Sequence, residues 1–472
     1  MEAILILLFH GHFWINKLDK LHKFQNESLS KLIVQYSLPA TIGMIVSFSY
    51  NIIDRIFVGN QLGADALSGV AILFPIQTLI FGLAFMVGIG ANSNISIQLG
   101  KKKLDEAEKY LSNALFLSII VPILFFIITM LFLNPILDLL GSSGSFRAYS
   151  HEFLFWVSFG FVSQFIAFSL NNIIRAVGYP NIAMWTQIFG AVLNIFLDAL
   201  FIFKFGWGVM GAAIATDISF TVSMIWVLSF FFFSKKSPLK IHWTNFKPKL
   251  YYIKSIIAIG APSLITQVSG SIVILLLNHL LLQYGGSHAI AVLSIATSIE
   301  AFMFVPTIGL SIGVRPIIGY NFGANELKRV RKVLELGIAI TVIIGLFGFG
   351  VIQIFAADLV KLFVPNDPKM LEMGITALRT FTFFIYMIGL EIIATTYYQS
   401  IGNPKVSLAL ALVRQLVFLL PLAYILPQFY GLMGIWVAGA GSELGSSILS
   451  ITFLVLALRK LKRDENQVVA IK

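Results

Sequence analysis

Residues 110–133 read YLSNALFLSIIVPILFFIITMLFL, a run without one charged side chain. A helix needs about 20 mostly apolar residues to cross the ~30 Å hydrocarbon core of a bilayer, so this run suffices for one crossing. The rest of the 472-residue chain is similar, since 58% of its residues are hydrophobic and 12% are charged. Soluble proteins are about 25% charged. The composition therefore predicts an integral membrane protein and excludes a soluble enzyme, a secreted domain and a disordered regulator.

Eleven further runs satisfy the same length rule, which predicts an all-α integral membrane protein with twelve transmembrane helices. The runs at 67–98 and 289–321 exceed one straight crossing, so we expect tilted or bent helices there. The twelve predicted spans are 33–58, 67–98, 110–133, 152–176, 182–204, 209–233, 254–284, 289–321, 333–356, 372–400, 406–427 and 431–458.

Lysine and arginine predict the orientation, because cytoplasmic loops retain positive charge. With the N-terminus inside, the inside segments hold 25 of the 33 Lys and Arg residues, and the outside loops hold four. Both termini are thus predicted to be cytoplasmic, in the inner membrane of a bacterium. This topology accounts for the net charge of +11, and no nucleic-acid partner is expected. Residues 1–15 are too short to span, so we expect a helix lying on the membrane or an upstream choice of start codon.

An internal repeat divides the spans into two sets of six. Sliding the sequence against itself at one constant offset aligns Pro39 with Pro262, Gly63 with Gly286, Gly90 with Gly313 and Gly100 with Gly323, and after the gain of one residue it aligns Gly178 with Gly402. Because six is even, both halves enter the membrane in the same sense, as in transporters with parallel repeats. The predicted domains are a cytoplasmic N-terminal segment (1–32), an N-lobe (33–233), a cytoplasmic linker (234–253), a C-lobe (254–458) and a cytoplasmic tail (459–472).

Polar side chains at membrane depth mark a candidate site in the N-lobe, because a charge there costs ~2.5–3.5 kcal/mol or more. Counting about 1.5 Å per residue places Asp54, Asp198 and Thr216 about 6–12 Å below the outer boundary. Asn194 shares a helix face with Asp198 at i, i+4. Together they offer oxygen ligands for Na⁺ or a proton, either of which would relieve the repulsion between two carboxylates. The alternative is a pairing of Asp54 with Arg55 at the outer interface, where Asp217 is also expected.

The C-lobe contains charged side chains at similar depths. Glu391 and Arg414 have matching depths, which makes a structural ion pair at least as plausible as a transport role. Glu300 and Glu443 fall near mid-membrane, where an anionic wall would attract an organic cation, so both are candidate residues of a substrate cavity.

The sequence lacks the features of enzymes and ATP-driven pumps. It has no cysteine and no phosphate-binding loop of the form G-x-x-x-x-G-K-[ST]. We therefore expect no catalysis and no cofactor other than a coupling ion, H⁺ or Na⁺. One charge crossing about 100 mV yields ~2.3 kcal/mol, which makes an ion gradient a sufficient energy source.

Two motifs carry a resemblance to a known family. Residues 316–324, PIIGYNFGA, look like the signature that closes span 8 in bacterial members of the multidrug and toxic compound extrusion (MATE) family, and residues 175–180, RAVGYP, are similar to a family turn. The resemblance covers nearly all twelve spans and is closest to the DinF-like and MepA-like branch. It implies antiport of amphipathic, often cationic, drugs against H⁺ or Na⁺.

The resemblance also assigns roles by matching position. It implies an ion-coupling site of Asp54, Asn194, Asp198, Thr216 and, nearer the inside, Asn171, with Na⁺ at the first four as an option. Pro39 and Tyr50 match a bend proline and an aromatic residue that couple helix 1 to this site. Two departures concern the C-lobe: span 7 has Asn278 in place of an acid, and Arg315 stands where a neutral amide is expected.

The predicted function is a multidrug efflux antiporter that works by alternating access, as a monomer in the bilayer, on small organic substrates. The alternative is a lipid-linked oligosaccharide flippase of related two-lobed fold, which an arginine-rich cavity would favour. A membrane transferase using polyprenyl donors would need acidic metal ligands in a sizeable loop, and the 235–254 loop contains no Asp or Glu.

Overall fold

The structure is a computed structural model that describes residues 23–241, 247–365 and 367–471, with the backbone alone for 468–471. The expectation for residues 1–15 lies outside this range. All regular elements of the described part are helical. In chain order they are α1 (Leu29–Ala71), α2 (Phe74–Gly100), α3 (Leu104–Leu131), α4 (Leu133–Leu139), α5 (Arg147–Ser158), α6 (Phe161–Ala176), α7 (Pro180–Asp198), α8 (Gly208–Phe232), α9 (Leu250–Gly323), α10 (Leu327–Lys361), α11 (Pro368–Phe381), α12 (Ile385–Ser400), α13 (Pro404–Leu412), α14 (Leu420–Ile425), α15 (Pro427–Tyr430) and α16 (Leu432–Ile471).

The described helices account for twelve membrane crossings. Nine helical segments are long and apolar enough to cross a bilayer, and two bent pairs raise the number to 11. The bent pairs are α5 with α6, at 57°, and α11 with α12, at 46°. The helix α9 provides one crossing more, because its 74 residues are interrupted at Gly286 and form two spans. The fold is therefore all-α with twelve spans, as predicted.

Backbone breaks recur at the spacing of the internal repeat. Gly63 (φ 84°) interrupts α1, and its repeat equivalent Gly286 (φ 69°) interrupts α9. Gly208 and Gly431 form a second such pair, with φ of 61° and 55°. Glycine adopts positive φ without the clash that a Cβ atom would cause, so these positions fix where the chain reverses. The two halves thus share one backbone plan.

Pro39 does not break the first span. It is buried inside α1, and the residue of that helix with non-helical dihedrals is Gly63. A proline removes one backbone hydrogen bond, which a helix can accommodate by a small local adjustment. The hydroxyl of Thr41 donates to the Ser37 carbonyl, 2.9 Å away, next to the proline. The helix α1 therefore continues through Pro39 with helical dihedrals.

The two lobes meet along α2 and both halves of α9. A Cβ atom on Gly100 would collide with the Tyr320 carbonyl, and one on Gly323 would collide with the Ile97 carbonyl. These two contacts are exchanged by the internal repeat, so a pseudo-twofold axis passes between α2 and the second half of α9. We call the side where these helices end, next to residues 101–103 and 328–332, the basic face, and the other side the opposite face.

Large apolar side chains cover much of the outer surface. Leu139 is 87% exposed and Phe233 is 82% exposed. In water such surface would be costly, whereas lipid tails accept it. The chain is a multi-pass membrane protein.

Candidate functional site

A partly open cavity lies within the N-lobe, between α1, α6, α7 and α8. Tyr50 from α1, Asn171 from α6, Asn194 from α7 and Thr216 from α8 line it. The structure thus brings together four of the site residues that the sequence predicts. The Asn194 amide donates to the Thr216 hydroxyl over 3.4 Å, which joins α7 to α8 across the cavity.

The two N-lobe carboxylates lie one helical turn beyond the cavity, towards the opposite face. Asp54 follows Tyr50 by four residues in α1, and Asp198 follows Asn194 by four in α7. Asp198 is 0% exposed. The two carboxylates are close enough to repel each other. The site therefore concentrates negative charge at a buried position.

Several oxygen atoms of this group lack a donor. Within the described chain, Oδ1 of Asp54, both carboxylate oxygens of Asp198 and Oδ1 of Asn194 are buried without a hydrogen bond. Buried polar atoms are usually paired, because leaving one unpaired costs about 1–3 kcal/mol, and more for a charge. We refer to Asp54, Asp198, Asn194 and Thr216 as the N-lobe oxygen cluster.

Arg55 forms no salt bridge with Asp54 among the described residues, although its charge is near enough to act on that carboxylate. Its guanidinium carbon lies 5.8 Å from the ring centroid of Phe74, a cation–π arrangement outside the cluster. The interfacial Asp54–Arg55 pairing considered from the sequence is therefore not the arrangement found among the described residues.

Asp217 and Asn171 are tied to neighbouring helices. The Asp217 carboxylate packs directly against Gly160, where α5 bends into α6, so a Cβ atom at Gly160 would overlap it. This contact lies inside the lobe, and the interfacial position expected for Asp217 stays a prediction. The Asn171 amide donates to the Ala183 carbonyl (2.9 Å) and to the Thr186 hydroxyl (2.5 Å), and its Oδ1 is buried without a donor in the described chain.

In the C-lobe, three glutamates surround one arginine. Arg414 lies 3.8 Å from a carboxylate oxygen of Glu300 and 3.8 Å from one of Glu391. Glu443, 2% exposed, is close enough to interact with all three. We refer to these four residues as the C-lobe charge cluster. The expected Glu391–Arg414 pair is thus part of a larger group, and Glu300 and Glu443 face an arginine within the lobe.

Both clusters are next to a π-helical segment. Residues Ala199–Lys204 continue α7 directly after Asp198 as a π-helix, and Val413–Leu419, which contains Arg414, is a second one. These wider turns are frequent at functional sites, because they re-aim side chains within a helix. No group of three or more His, Asp or Glu residues in the described ranges is arranged to hold a metal ion.

Sequence reasoning missed several residues of the cavity wall. Thr186 and Gly190 extend the Asn194–Asp198 face by two turns at the same four-residue spacing, and Ser219 and Ser223 continue the face of α8 in a similar way. This periodicity was available in the sequence. Gln187, by contrast, reaches the cavity from the side of α7 that faces α1, which only the packing reveals.

The lobes touch in the basic half of the molecule. The Ser255 hydroxyl of the C-lobe donates to Asn94 Oδ1 of the N-lobe (2.9 Å), and the Asn321 amide donates to the carbonyl of Phe24, in the segment before α1 (3.2 Å). Gly90 and Gly260 pack against backbone of the other lobe, whereas a Cβ atom on Gly63 or Gly286, at the opposite face, would have no neighbour within 4 Å. The cleft between the lobes is therefore closed at the basic face.

Comparisons with known proteins match this architecture. The family model described as MatE matches residues 39–200 and 262–425. The multidrug export protein MepA of Staphylococcus haemolyticus (strain JCSC1435) is 26% identical over 457 residues, which cover 96% of this chain and 99% of that protein.

Solved structures agree over nearly the whole chain. A crystal structure of MATE in complex with MaL6 has a TM-score of 0.88 and 28% identity, covering 93% of this chain and 99% of the other. An outward-facing conformation of a multidrug resistance MATE family transporter of the MOP superfamily has a TM-score of 0.88 and 27% identity, covering 93% and 98%.

Proposed function

Because the chain belongs to the MatE family, we propose that it is a multidrug efflux transporter, exporting amphipathic and often cationic organic compounds in exchange for H⁺ or Na⁺. The family model matches most of both lobes, and a curated relative of almost equal length is a multidrug export protein. The observation that carries the coupling part of the proposal is the N-lobe oxygen cluster, whose buried oxygens lack donors in the described chain.

Binding of a cation would stabilise the N-lobe oxygen cluster. Two carboxylates that repel each other in a partly dry lobe are stabilised when one takes up a proton or when a bound Na⁺ lies between them. The amide oxygen of Asn194 and the hydroxyl of Thr216 would complete an oxygen shell for Na⁺, a hard cation. Binding and release of this ion on opposite sides of the membrane would couple the gradient to transport.

The closed basic face supports alternating access. We propose that this face is cytoplasmic, since it carries most of the lysine and arginine residues. The conformation described above is then outward-facing: the drug leaves to the outside, and the ion enters the N-lobe from there. Separation of the lobes at α2 and α9 would expose the cleft to the cytoplasm for the next drug molecule. One chain contains both lobes, so a monomer suffices.

Dye efflux from cells tests this proposal. Cells that express wild-type protein should expel ethidium while the relevant gradient exists, and Asp54→Asn or Asp198→Asn should abolish that efflux. Asp65→Asn is the matched control, because Asp65 is an exposed carboxylate beyond the break at Gly63. Collapse of the proton gradient and omission of sodium, applied in turn, identify the ion. Efflux that survives both substitutions would remove the N-lobe oxygen cluster from the mechanism.

A further inference from the structure

An open cleft at the basic face has no role in the function proposed above. It lies between the first turn of α1 and the first three turns of α10, and its walls are formed by Leu29, Lys328, Arg329, Lys332, Glu335 and Leu336. Lys328 and Lys332 are exposed and four residues apart, which places them on one face of α10. The cleft therefore presents three cations within the first two turns of one helix.

The cations of this cleft have no carboxylate bound to them. No salt bridge among the described residues includes Lys328, Arg329 or Lys332. The guanidinium of Arg329 donates instead to two backbone carbonyls, that of Phe24 over 3.1 Å and that of Glu27 over 2.7 Å. A carbonyl is neutral, so these hydrogen bonds leave the positive charge of the arginine uncompensated.

The carboxylate in the wall of the cleft is already paired. Glu335 accepts a hydrogen bond from Arg331 over 2.8 Å, and Arg331 also donates to Glu465 over 3.2 Å. Arg331 lies outside the cleft wall, so its charge offsets that of Glu335 without using a cation of the cleft. Glu326, just before α10, is near enough to act on Arg329 but forms no salt bridge with it among the described residues. The cleft thus keeps a surplus of positive charge.

The internal repeat indicates that α10 need not begin with cations. Lys102 and Asn325 both have a φ of 60°, so the turns before α3 and α10 correspond. In the same register, the positions of the first two cations of α10 are occupied in α3 by Asp105 and Glu106. Acidic side chains suit the first turn of a helix, because the helix dipole is positive there, and cations are unfavourable. Helix stability alone therefore does not account for the cations of α10.

Below the cations, the same face of α10 continues as exposed apolar surface. Ile343 and Phe347 follow Lys332 by 11 and 15 residues, spacings that return to one side of a helix, and they are 66% and 72% exposed. At 1.5 Å per residue they lie about 16 and 22 Å from Lys332 along the axis. An acyl chain within one leaflet spans a similar depth, about half of the ~30 Å hydrocarbon core or slightly more. This face thus combines charge at one end with apolar surface below, as a phospholipid does.

We propose that the cleft between α1 and α10 binds the phosphate head group of an anionic phospholipid, whose acyl chains lie along Ile343 and Phe347. Lysine and arginine side chains near the membrane surface attract anionic lipids, and phosphate oxygens accept charge-assisted hydrogen bonds from them. A soluble phosphate ion would contact the same cations but would bury none of the apolar face, which favours a lipid. This site is independent of the proposed export function, because it requires neither a drug nor a coupling ion.

Native mass spectrometry of the 472-residue chain in detergent micelles tests the site. Dioleoyl phosphatidylglycerol, which is anionic, should bind more tightly than dioleoyl phosphatidylcholine, whose head group has no net charge. Lys328→Gln combined with Lys332→Gln should raise the Kd of phosphatidylglycerol by about ten-fold or more, since each lysine near the surface contributes roughly a factor of five. Lys101→Gln combined with Lys103→Gln is the matched control, because both lysines are exposed at the basic face and lie outside the cleft wall.

Inorganic phosphate distinguishes a lipid from a soluble anion. Added at the concentration of the lipid, it should leave phosphatidylglycerol bound, and displacement would show a site for soluble phosphate and overturn the proposal. The proposal is also overturned if wild-type protein binds the two lipids equally tightly, or if the Lys328 and Lys332 double variant binds phosphatidylglycerol as tightly as the control does. Because no transport is measured, a failed efflux assay and a failed lipid-binding assay are separate results.

Discussion

At the scale of single residues, the buried carboxylates of the two lobes differ in their charged partners. The three glutamates of the C-lobe surround Arg414, which is covalently part of the chain and cannot leave. Asp54 and Asp198 in the N-lobe form no salt bridge among the described residues; the charge of Arg55 acts on Asp54 only from a longer distance, and buried oxygens of both carboxylates lack donors. An exchangeable positive charge is therefore needed in the N-lobe, whereas the C-lobe already contains a fixed one.

Replacement of Arg414 should destabilise the protein strongly. Arg414→Gln would leave Glu300, Glu391 and Glu443 buried together without a cation, and breaking a buried ion pair costs about 3–5 kcal/mol. We expect a clearly lower Tm in detergent, measured by intrinsic fluorescence. Arg379→Gln should have little effect, because that side chain is exposed. Equal Tm values for the two variants would show that the C-lobe charge cluster is not stabilised by Arg414.

The sequence predicted the members of the N-lobe oxygen cluster but not all of their surroundings. Depth along each span and the i, i+4 spacing of Asn194 and Asp198 are properties of single helices, and they can be counted. The packing of Gln187 on Gly43 and of Asp217 on Gly160 depends on how helices rotate against each other. One sequence does not specify such packing. The transport roles of the cluster remain a prediction.

At the scale of helices, close packing of glycines closes the basic face. Gly90, Gly100, Gly260 and Gly323 each lie against backbone of the other lobe. Small residues let membrane helices approach closely, and the resulting van der Waals contact stabilises their association. The same positions therefore control how easily the lobes separate.

A bulky residue at Gly100 should shift the protein away from the outward-facing state. In Gly100→Val the new side chain would collide with the Tyr320 carbonyl, so the basic face could not close fully. The chain has no cysteine, so a single Ser47→Cys substitution in the cavity wall reports accessibility without background. Labelling of this cysteine by a membrane-impermeant maleimide from the outside should slow down.

The control for this prediction is Gly350→Val. A Cβ atom at Gly350 has no neighbour within 4 Å, so the backbone and the lobe contact should be unaffected. Labelling rates that are the same in Gly100→Val, Gly350→Val and the parent would contradict the view that the α2–α9 contact holds the basic face closed.

Helix boundaries could be predicted only in part. Length and hydropathy located all twelve spans, because lipid requires long apolar helices. They did not predict the 57° and 46° bends in spans 4 and 10, or the π-helical turns beside Asp198 and at Arg414. Such local geometry arises from packing inside each lobe. At Pro39 the sequence suggests more disruption than the structure shows, because proline usually breaks or bends a helix, yet α1 continues through this residue.

At the scale of the whole molecule, the backbone follows the internal repeat, whereas the buried charged residues differ between the two lobes. Paired breaks such as Gly63 with Gly286, and the exchanged contacts of Gly100 and Gly323, follow the spacing of the repeat. Among the described residues, the carboxylate pair without a salt bridge lies in the N-lobe, and the glutamates paired with an arginine lie in the C-lobe. A symmetric frame can rock between two states, while an asymmetric ion site determines which gradient drives it. We therefore expect ion coupling to depend on the N-lobe alone.

Simultaneous measurement of ion and drug flux in proteoliposomes tests this central claim most directly. Vesicles would contain protein, ethidium and either a pH dye or a sodium dye, and an inward H⁺ or Na⁺ gradient would be imposed. For protein oriented with its basic face inside, ethidium release should be accompanied by entry of one of the two ions, and both fluxes should disappear in Asp198→Asn but persist in Asp65→Asn. Ethidium release that is equally fast without any gradient, or ion entry that is unchanged in Asp198→Asn, would contradict ion-coupled export through the N-lobe oxygen cluster.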